Sequence, residues 1–423
     1  MSELDCQPNR LNELIAELCP DGVSYKRLGE IGYFYGGLSG KSKHDFANGN
    51  AKFITYMNVY SNLAVDTEIS DMVKIGENEK QNTVKHGDIL FTGSSETPNE
   101  CGISSVLTKE TNEKLYLNSF CFGFRLIDKD LLLPDFSKYL FRSKEIRKQI
   151  IRTANGVTRF NVSKEKMEKV VIPVPPLPVQ QEIVRILDNF TELVKELTTE
   201  LTAELTARQK QYEYYRDKLL TFGDEVEFRT LEEVFNIKNG YTPSKSNPTY
   251  WENGSLPWFR MEDIRKNGRI LSDSIQHITP QAVKGKLFPA NSIILATSAT
   301  IGEHALLTVE ALANQRFTFL SIKKQYVDKL NMKFFYYYCF IIDQWCKNNT
   351  SVGNFHSVEM VRLKKYRFPL PPLPVQREIV AILDRFDALC NDLTSGLPAE
   401  IEARQKQYEY YRDKLLSFKE MKS

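Results

Sequence analysis

The chain has 423 residues, 42% hydrophobic and 26% charged, with a formal net charge of +2. That length supports two or three domains, and the composition is that of an ordinary globular protein. No apolar run reaches the roughly 18–20 residues of a membrane span, the opening MSELDCQPNR lacks signal-peptide character, and so small a net charge leaves any nucleic-acid affinity to local patches.

The seven cysteines (Cys6, Cys19, Cys101, Cys121, Cys339, Cys346, Cys390) are odd in number and include no CxxC pair, which reads as free thiols in a reducing cytoplasm. Sliding the chain against itself by 196 places sets 172–222 over 368–418 without a gap, with 35 of 51 positions identical. The segment ARQKQYEYYRDKLL is unchanged between 207–220 and 403–416. The repeat divides the chain into 1–22, 23–171, 172–222, 223–367 and 368–423.

From the N-terminus, Asn9–Leu18 reads as a helix that packs beside the C-terminal repeat and closes a pseudo-symmetric ring. Residues 23–171 mix short strands at Lys52–Val59, Asp88–Gly93 and Phe120–Ile127 with one helix over 135–151, punctuated by Gly, Asn and Ser. Several loops here suit a phosphate backbone or base edges, with an ordinary turn, a solvated helix face or surface decoration as the competing reading for the same residues. Gly36-Gly-Leu-Ser-Gly-Lys-Ser-Lys43 offers Lys41 and Lys43; it is one residue short of a P-loop. Tyr56 and Asn58 belong to Tyr56-Met-Asn-Val-Tyr60, and Asn58 has the amide that pairs with adenine. Ser94 and Ser95 lie in a polar loop. Residues 138–169 hold ten Lys or Arg against three Asp or Glu, among them Lys138, Arg142, Lys144, Arg147, Lys148, Arg152 and Arg159. Asn155 and Thr158 belong to the same stretch.

The first repeat begins at PPLPVQQEIV, where proline marks a helix start, and spaces apolar residues by three and four through Ile183, Leu187, Phe190, Val194, Leu197, Leu201, Leu205, Tyr212, Tyr215, Leu219 and Phe222. That is a coiled-coil seam with one four-residue insertion, roughly 60 Å of helix at ~1.5 Å per residue. An antiparallel pairing of the two copies within one chain is favoured over a coil between separate chains, because the copies are already tethered.

Residues 223–367 repeat the domain plan with strands at Ser292–Ala296 and Arg316–Ile322 and a helix over 331–347. The candidate contacts are Tyr241, Thr242, Ser244 and Lys245 in the loop aligned with Gly36–Lys43, then Arg260, Asp263 and Arg265, Ser298 and Thr300, and Asn354 and His356 at the domain's end. Arginine reads guanine, and a carboxylate accepts from the cytosine amino group. The window 334–365 carries only four basic and two acidic residues, so basicity alone does not serve both domains. The second repeat has Gly396 and Pro398 inside its helical pattern, which predicts a kink or break that the first lacks.

Ser246-Asn-Pro-Thr-Tyr250 and Pro134-Asp135 with Glu145-Ile-Arg147 are poor matches to methyltransferase and nuclease sites and read as structure. The five histidines show no metal spacing, and GxSxG and Walker A patterns are absent. No catalytic or metal site is expected.

The doubled PPLPVQ-EIV…ARQKQYEYYRDKLL blocks, the Leu28-Gly-Glu-Ile31 and Leu231-Glu-Glu-Val234 openings, Gly240-Tyr-Thr-Pro-Ser244 and Asn314-Gln-Arg-Phe317 together resemble the specificity subunits of type I restriction–modification enzymes. The resemblance implies an α/β (α+β) fold: two globular target recognition domains separated by two long helices that form an antiparallel coiled coil, with a pseudo-twofold repeat. It implies double-stranded DNA as ligand, one recognition domain per half of a bipartite asymmetric site. It also implies two methyltransferase subunits and restriction subunits as partners, with S-adenosylmethionine, ATP and Mg²⁺ on those partners and no cofactor in this chain. A tyrosine-rich segment held constant while the domains diverge reads as a shared docking surface, against the alternative of coil packing alone, with candidates Tyr212, Tyr214, Tyr215, Arg216 and Tyr408, Tyr410, Tyr411, Arg412. The competing readings are a stand-alone DNA-binding or architectural protein, and a methyltransferase or nuclease in its own right.

Overall fold

The helix expected over Asn9–Leu18 spans Gln7–Leu18 in the computed structural model, which describes residues 7–351, 356–391 and 396–421. The chain separates into two units, 1–200 with 401–423, and 201–400. The division cuts the repeats at mid-length, so each unit contains one variable domain and half of each repeat. None of the described helices is long and apolar enough to cross a membrane.

In the first unit the central sheet is antiparallel, in the order Gly32–Gly36, Cys121–Leu126, Ile89–Thr92, Ser104–Val106. The strand ILFT is buried along its whole length, and its pleat splits it between two cores. Ile89 and Phe91 face the helices, among Phe136, Leu140 and Ile150, whereas Leu90 faces Ile54, Leu115 and Leu117 of a second, smaller sheet. The second unit repeats this plan with Phe235–Asn239, Phe317–Ile322, Ser292–Ala296, His304–Leu307 and Ile270–Leu271, the last pairing parallel. Ile293 and Leu295 there face Phe334, Phe335 and Ile342, and Ile294 and Ala296 face Phe259 and Ala313.

Local chemistry moves several boundaries. The strand expected over Lys52–Val59 stops at Ile54, because the Thr55 hydroxyl accepts from the Asn58 N–H and caps a helix, Tyr56–Ser61. The helix expected over 135–151 is two, Pro134–Leu140 and Lys144–Ile151, with the Ser143 hydroxyl bonded back to the Leu140 carbonyl at the junction. Its counterpart in the second unit is continuous, Met332–Asn348.

The first repeat is one helix of 43 residues, Leu177–Leu219. The second is described as two, Leu373–Asn391 and Leu397–Leu415, with 392–395 outside the described residues. Pro398 takes the second position of the latter helix, where no N–H is needed, and the Gly396 carbonyl accepts from the Glu400 N–H. In the first unit Phe190 stacks on Tyr408 at 6.1 Å and meets Tyr411 edge-on at 5.7 Å. In the second unit Phe386 meets Tyr212 at 6.4 Å and Tyr215 at 5.9 Å. As the first repeat's index rises from 190 to 212, its partner's falls from 408 to 386, which is antiparallel pairing. The seam is buried unevenly. Ile183, Leu187, Tyr212 and Tyr408 lie inside, whereas Leu197 is 36% exposed.

Candidate functional site

One end of each unit's sheet gathers the loops that carry chemistry. In the first unit the segment Asn118-Ser-Phe120 forms a closed turn. The Asn118 N–H donates to the Ile54 carbonyl (2.9 Å), the Asn118 Oδ1 accepts from the Phe120 N–H (2.9 Å), and the Asn118 carbonyl accepts from Cys121 N–H (3.0 Å). Gly93 N–H then donates to the Phe120 carbonyl at 2.7 Å. The next residues, Ser94–Ser95, pair with Phe160–Asn161, and Phe160–Val162 pairs with Ala154–Asn155. This small sheet brings Ser94, Ser95, Asn155 and Arg159 to the Phe120 turn, with Thr158 exposed in the loop that joins its last two strands. The Arg159 guanidinium lies 5.5 Å over the Phe120 ring and donates to Ser94 Oγ at 3.3 Å. Tyr56 arrives from the first turn of the helix Tyr56–Ser61, its hydroxyl donating to the Ser94 carbonyl at 3.0 Å.

The second unit builds the same turn from Asn314-Gln-Arg316. Asn314 N–H bonds the Phe259 carbonyl (3.1 Å), its Oδ1 accepts from Arg316 N–H (3.0 Å), and its carbonyl accepts from Phe317 N–H (3.1 Å). Thr297 N–H donates to the Arg316 carbonyl at 3.0 Å. Ser298 bridges to Ser357, next to the exposed His356 and close to Thr300, whose N–H bonds the Ser298 carbonyl. Thr242 reaches the turn through a hydroxyl bond to Gln315. Asn354 lies outside the described residues.

Other candidates are held elsewhere. Lys41 buries its ammonium on Glu79 and the Lys74 carbonyl, which holds the Glu79 carboxyl down at about 2 together with the Gly76 N–H, the foremost cause. Asn58 spends its amide within its own loop, donating to the Asp66 carbonyl (2.8 Å) and accepting from the Asp66 N–H (3.0 Å), so it has no face free for adenine. Asp263 is fully buried and accepts from the N–H groups of Arg260 and Ile275, both at 2.6 Å; it holds a helix start rather than facing cytosine. Arg260 pairs with Glu262 beside the Trp258 ring. Tyr241 packs with Trp258 and Ile278. Ser244 bonds Ser246, while Lys43, Lys245, Arg152 and Arg265 are exposed.

The basic stretch 138–169 is thinner in three dimensions than in sequence. Lys138 bonds Asp135 and Asp188. Arg142 donates to the carbonyls of Ser104, Tyr60 and Asn62, and Arg147 to those of Asn99, Cys101 and Gly102. Burial without a facing carboxylate brings both guanidinium pKa values down to about 10. These three side chains build the domain; Lys144, Lys148, Arg152 and Arg159 remain on its surface.

The tyrosine-rich segments split the same way in both copies. Tyr212 and Tyr408 are buried, whereas Tyr214 and Tyr410 are each 62% exposed. Tyr215 and Tyr411 are half-covered by Phe386 and Phe190. Arg216 and Arg412 are tucked in, the former 4.7 Å over the Phe340 ring and the latter bonded to Asp413. A cleft runs beside each segment, about 1210 Å³ where Tyr408 and Tyr410 meet Arg142 and Lys144, and about 940 Å³ where Tyr212 and Arg216 meet Arg269 and Phe340.

Two exposed residues at the loop ends, Phe120 and Arg316, were not among the candidates read from sequence. Their shared register at an offset of 196 was visible there; their exposure was not. Among the described residues, no group of three or more His, Cys, Asp or Glu could hold a metal ion.

Comparison with known proteins places this arrangement. The family model described as the type I restriction modification DNA specificity domain matches twice, over 20–207 and 223–403. The chain is 56% identical over 214 residues, 49% of its own length, to the type I restriction enzyme EcoprrI specificity subunit of Escherichia coli. It is 43% identical over 275 residues, 61% of its length, to the EcoR124I/EcoR124II specificity subunit of the same organism. These matches span 53% and 65% of the two relatives. A solved chain concerned with the complex assembly and conformational transition of the type I R-M system shares the fold, with a TM-score of 0.70 at 18% identity over 94% of this chain and 98% of that one.

Proposed function

Because the chain belongs to the family of type I restriction modification DNA specificity domains, we propose that it is the sequence-reading subunit of a restriction–modification complex, each unit reading one half of a bipartite, asymmetric DNA site. The observation that carries this reading is the repeat of one turn with different tips. Asn118 and Asn314 close the same hydrogen bonds, yet the exposed residues they present are Phe120 and Arg316. A scaffold that is kept while its tips diverge suits two heads that read different sequences. The antiparallel helices set the distance between half-sites. The exposed Tyr214 and Tyr410, at the same place in the two repeats, dock two methyltransferase subunits. S-adenosylmethionine, ATP and Mg²⁺ act on those methyltransferase subunits and on restriction subunits, and this chain contributes no catalytic group. The reducing cytoplasm is its place of work.

The test is co-expression with the methyltransferase partner, followed by selection from a duplex library with a randomised core. The expected product is a two-part motif with a fixed gap. Deleting four residues between Leu197 and Leu205 is expected to change the gap and leave both half-sites intact. A one-part motif, or half-sites that change with the deletion, would refute the reading. Incubating the chain alone with DNA, Mg²⁺ and S-adenosylmethionine is expected to leave the DNA unaltered.

A further inference from the structure

We infer that Phe120 and Arg316 are equivalent base-reading residues of opposite chemistry, Phe120 contacting a thymine methyl in one half-site and Arg316 a guanine in the other. The inference rests on the proposed reading of DNA and goes beyond it by assigning the position and the base class.

The two residues occupy one place in two units. Each follows an asparagine whose side-chain oxygen accepts from its N–H, and each gives its carbonyl to the first residue of the polar loop that follows the central strand, Gly93 or Thr297. Backbone direction at the tip is therefore fixed, and the side chain is the variable. Phe120 is 56% exposed, although an aromatic ring left in water forgoes most of the stabilisation it would gain on burial. Val157, 91% exposed, lies in the loop before Arg159, and the Arg159 guanidinium covers part of the Phe120 ring. An exposed ring with a cation beside it fits a groove edge, where the methyl of thymine meets the ring and a phosphate meets the arginine. Arg316 is exposed, and among the described residues its side chain makes no ion pair or hydrogen bond. A guanidinium held out by a rigid turn matches the O6 and N7 acceptors of guanine.

The experiment uses the full chain in complex with its methyltransferase partner and a randomised duplex library. Phe120→Ser is expected to lower the preference at one position of one half-site about tenfold, whereas Phe120→Leu, which keeps an apolar tip, retains most of it. Arg316→Lys is expected to hold overall affinity within about twofold while losing guanine preference about tenfold at one position of the other half-site, since an ammonium keeps the charge but not the fork. Motifs unchanged in both variants would overturn the inference. So would an equal loss of affinity on all duplexes, the mark of a phosphate contact or of damage to the fold. A wild-type complex that selects no two-part motif would remove the parent reading, and this inference with it.

Discussion

Gln180 and Gln376 make the same three hydrogen bonds from the same place in the two PPLPVQ motifs. Gln180 Nε2 donates to the carbonyls of Leu131 (3.0 Å) and Pro175 (2.8 Å), and its Oε1 accepts from Leu133 N–H (2.8 Å). Gln376 does so with Lys329 (2.9 Å), Pro371 (2.6 Å) and Asn331 N–H (2.7 Å). Both side chains are fully buried. Each clamps the first turn of a repeat helix to the segment that leads into a helix of its domain, Pro134–Leu140 or Met332–Asn348.

Gln180→Leu and Gln376→Leu each strand two carbonyls and one N–H in a dry site. At about 1–3 kcal/mol for each unsatisfied group, partly relieved by relaxation, each is expected to cost on the order of 3 kcal/mol. Urea unfolding midpoints check this, and a loss under about 1 kcal/mol would show that the clamp is not needed.

The tyrosine-rich segment should separate into packing and docking residues. Tyr408 stacks on Phe190 and shares a hydrogen bond with Thr191 at 3.0 Å, so Tyr408→Ala is expected to destabilise by about 3–5 kcal/mol. Tyr410→Ala and Tyr214→Ala remove exposed rings and should change stability by less than about 0.5 kcal/mol. The same two substitutions are expected to weaken methyltransferase binding, which titration with the partner measures directly.

Alkali should unfold the protein through its tyrosines. Burial, reinforced by the carboxylates of Asp188 and Asp384, pushes the phenols of Tyr139 and Tyr337 well above the usual value near 10. In the unfolded chain they ionise near 10, so above that pH the folded state holds more protons. Stability present below about pH 10 is then lost as pH rises. Arg142 and Arg147, brought down to about 10, oppose this between about 10 and 12.5, where the unfolded chain binds more protons. The buried tyrosines are the more numerous, Tyr35, Tyr212, Tyr336 and Tyr338 among them, so the net effect is a loss. Tyrosinate absorbance and circular dichroism, followed together, should change in one step; ionisation of these phenols ahead of unfolding would contradict the assignment.

Gly37 and Gly240 place the loops beside the Phe120 and Arg316 turns. A Cβ at Gly37 would sit 2.1 Å from the Asn118 carbonyl oxygen, and one at Gly240 would sit 2.3 Å from that of Ala313. Both neighbours are backbone, so Gly37→Ala and Gly240→Ala must shift the loop or the turn. Weaker binding of duplexes carrying the selected motif is expected from each, with the tighter contact at Gly37 giving the larger effect.

Much of the architecture is legible in the linear order. The repeat shows as identity at one offset, the helix starts show as PPLP, and the break in the second copy shows as Gly396 and Pro398, because each depends on residues close in sequence. Thr55 was equally local, but its capping role was hidden inside a pattern that also fits a strand. The candidate site was legible only in part. Ser94, Ser95, Asn155 and Arg159 do meet at one end of the first unit, but Lys41, Asn58 and Asp263 spend their polar groups on neighbours within their own domains.

Sequence by itself determined the periodicity and the duplicated plan, since hydrophobic spacing and proline geometry act over a few residues. Tertiary structure decided which charges are free. Lys41 meets Glu79 across 38 positions, and Arg142 reaches carbonyls some 80 positions away. A charged group is free or engaged according to the donors and acceptors that folding brings to it, and nothing in its immediate neighbours specifies those.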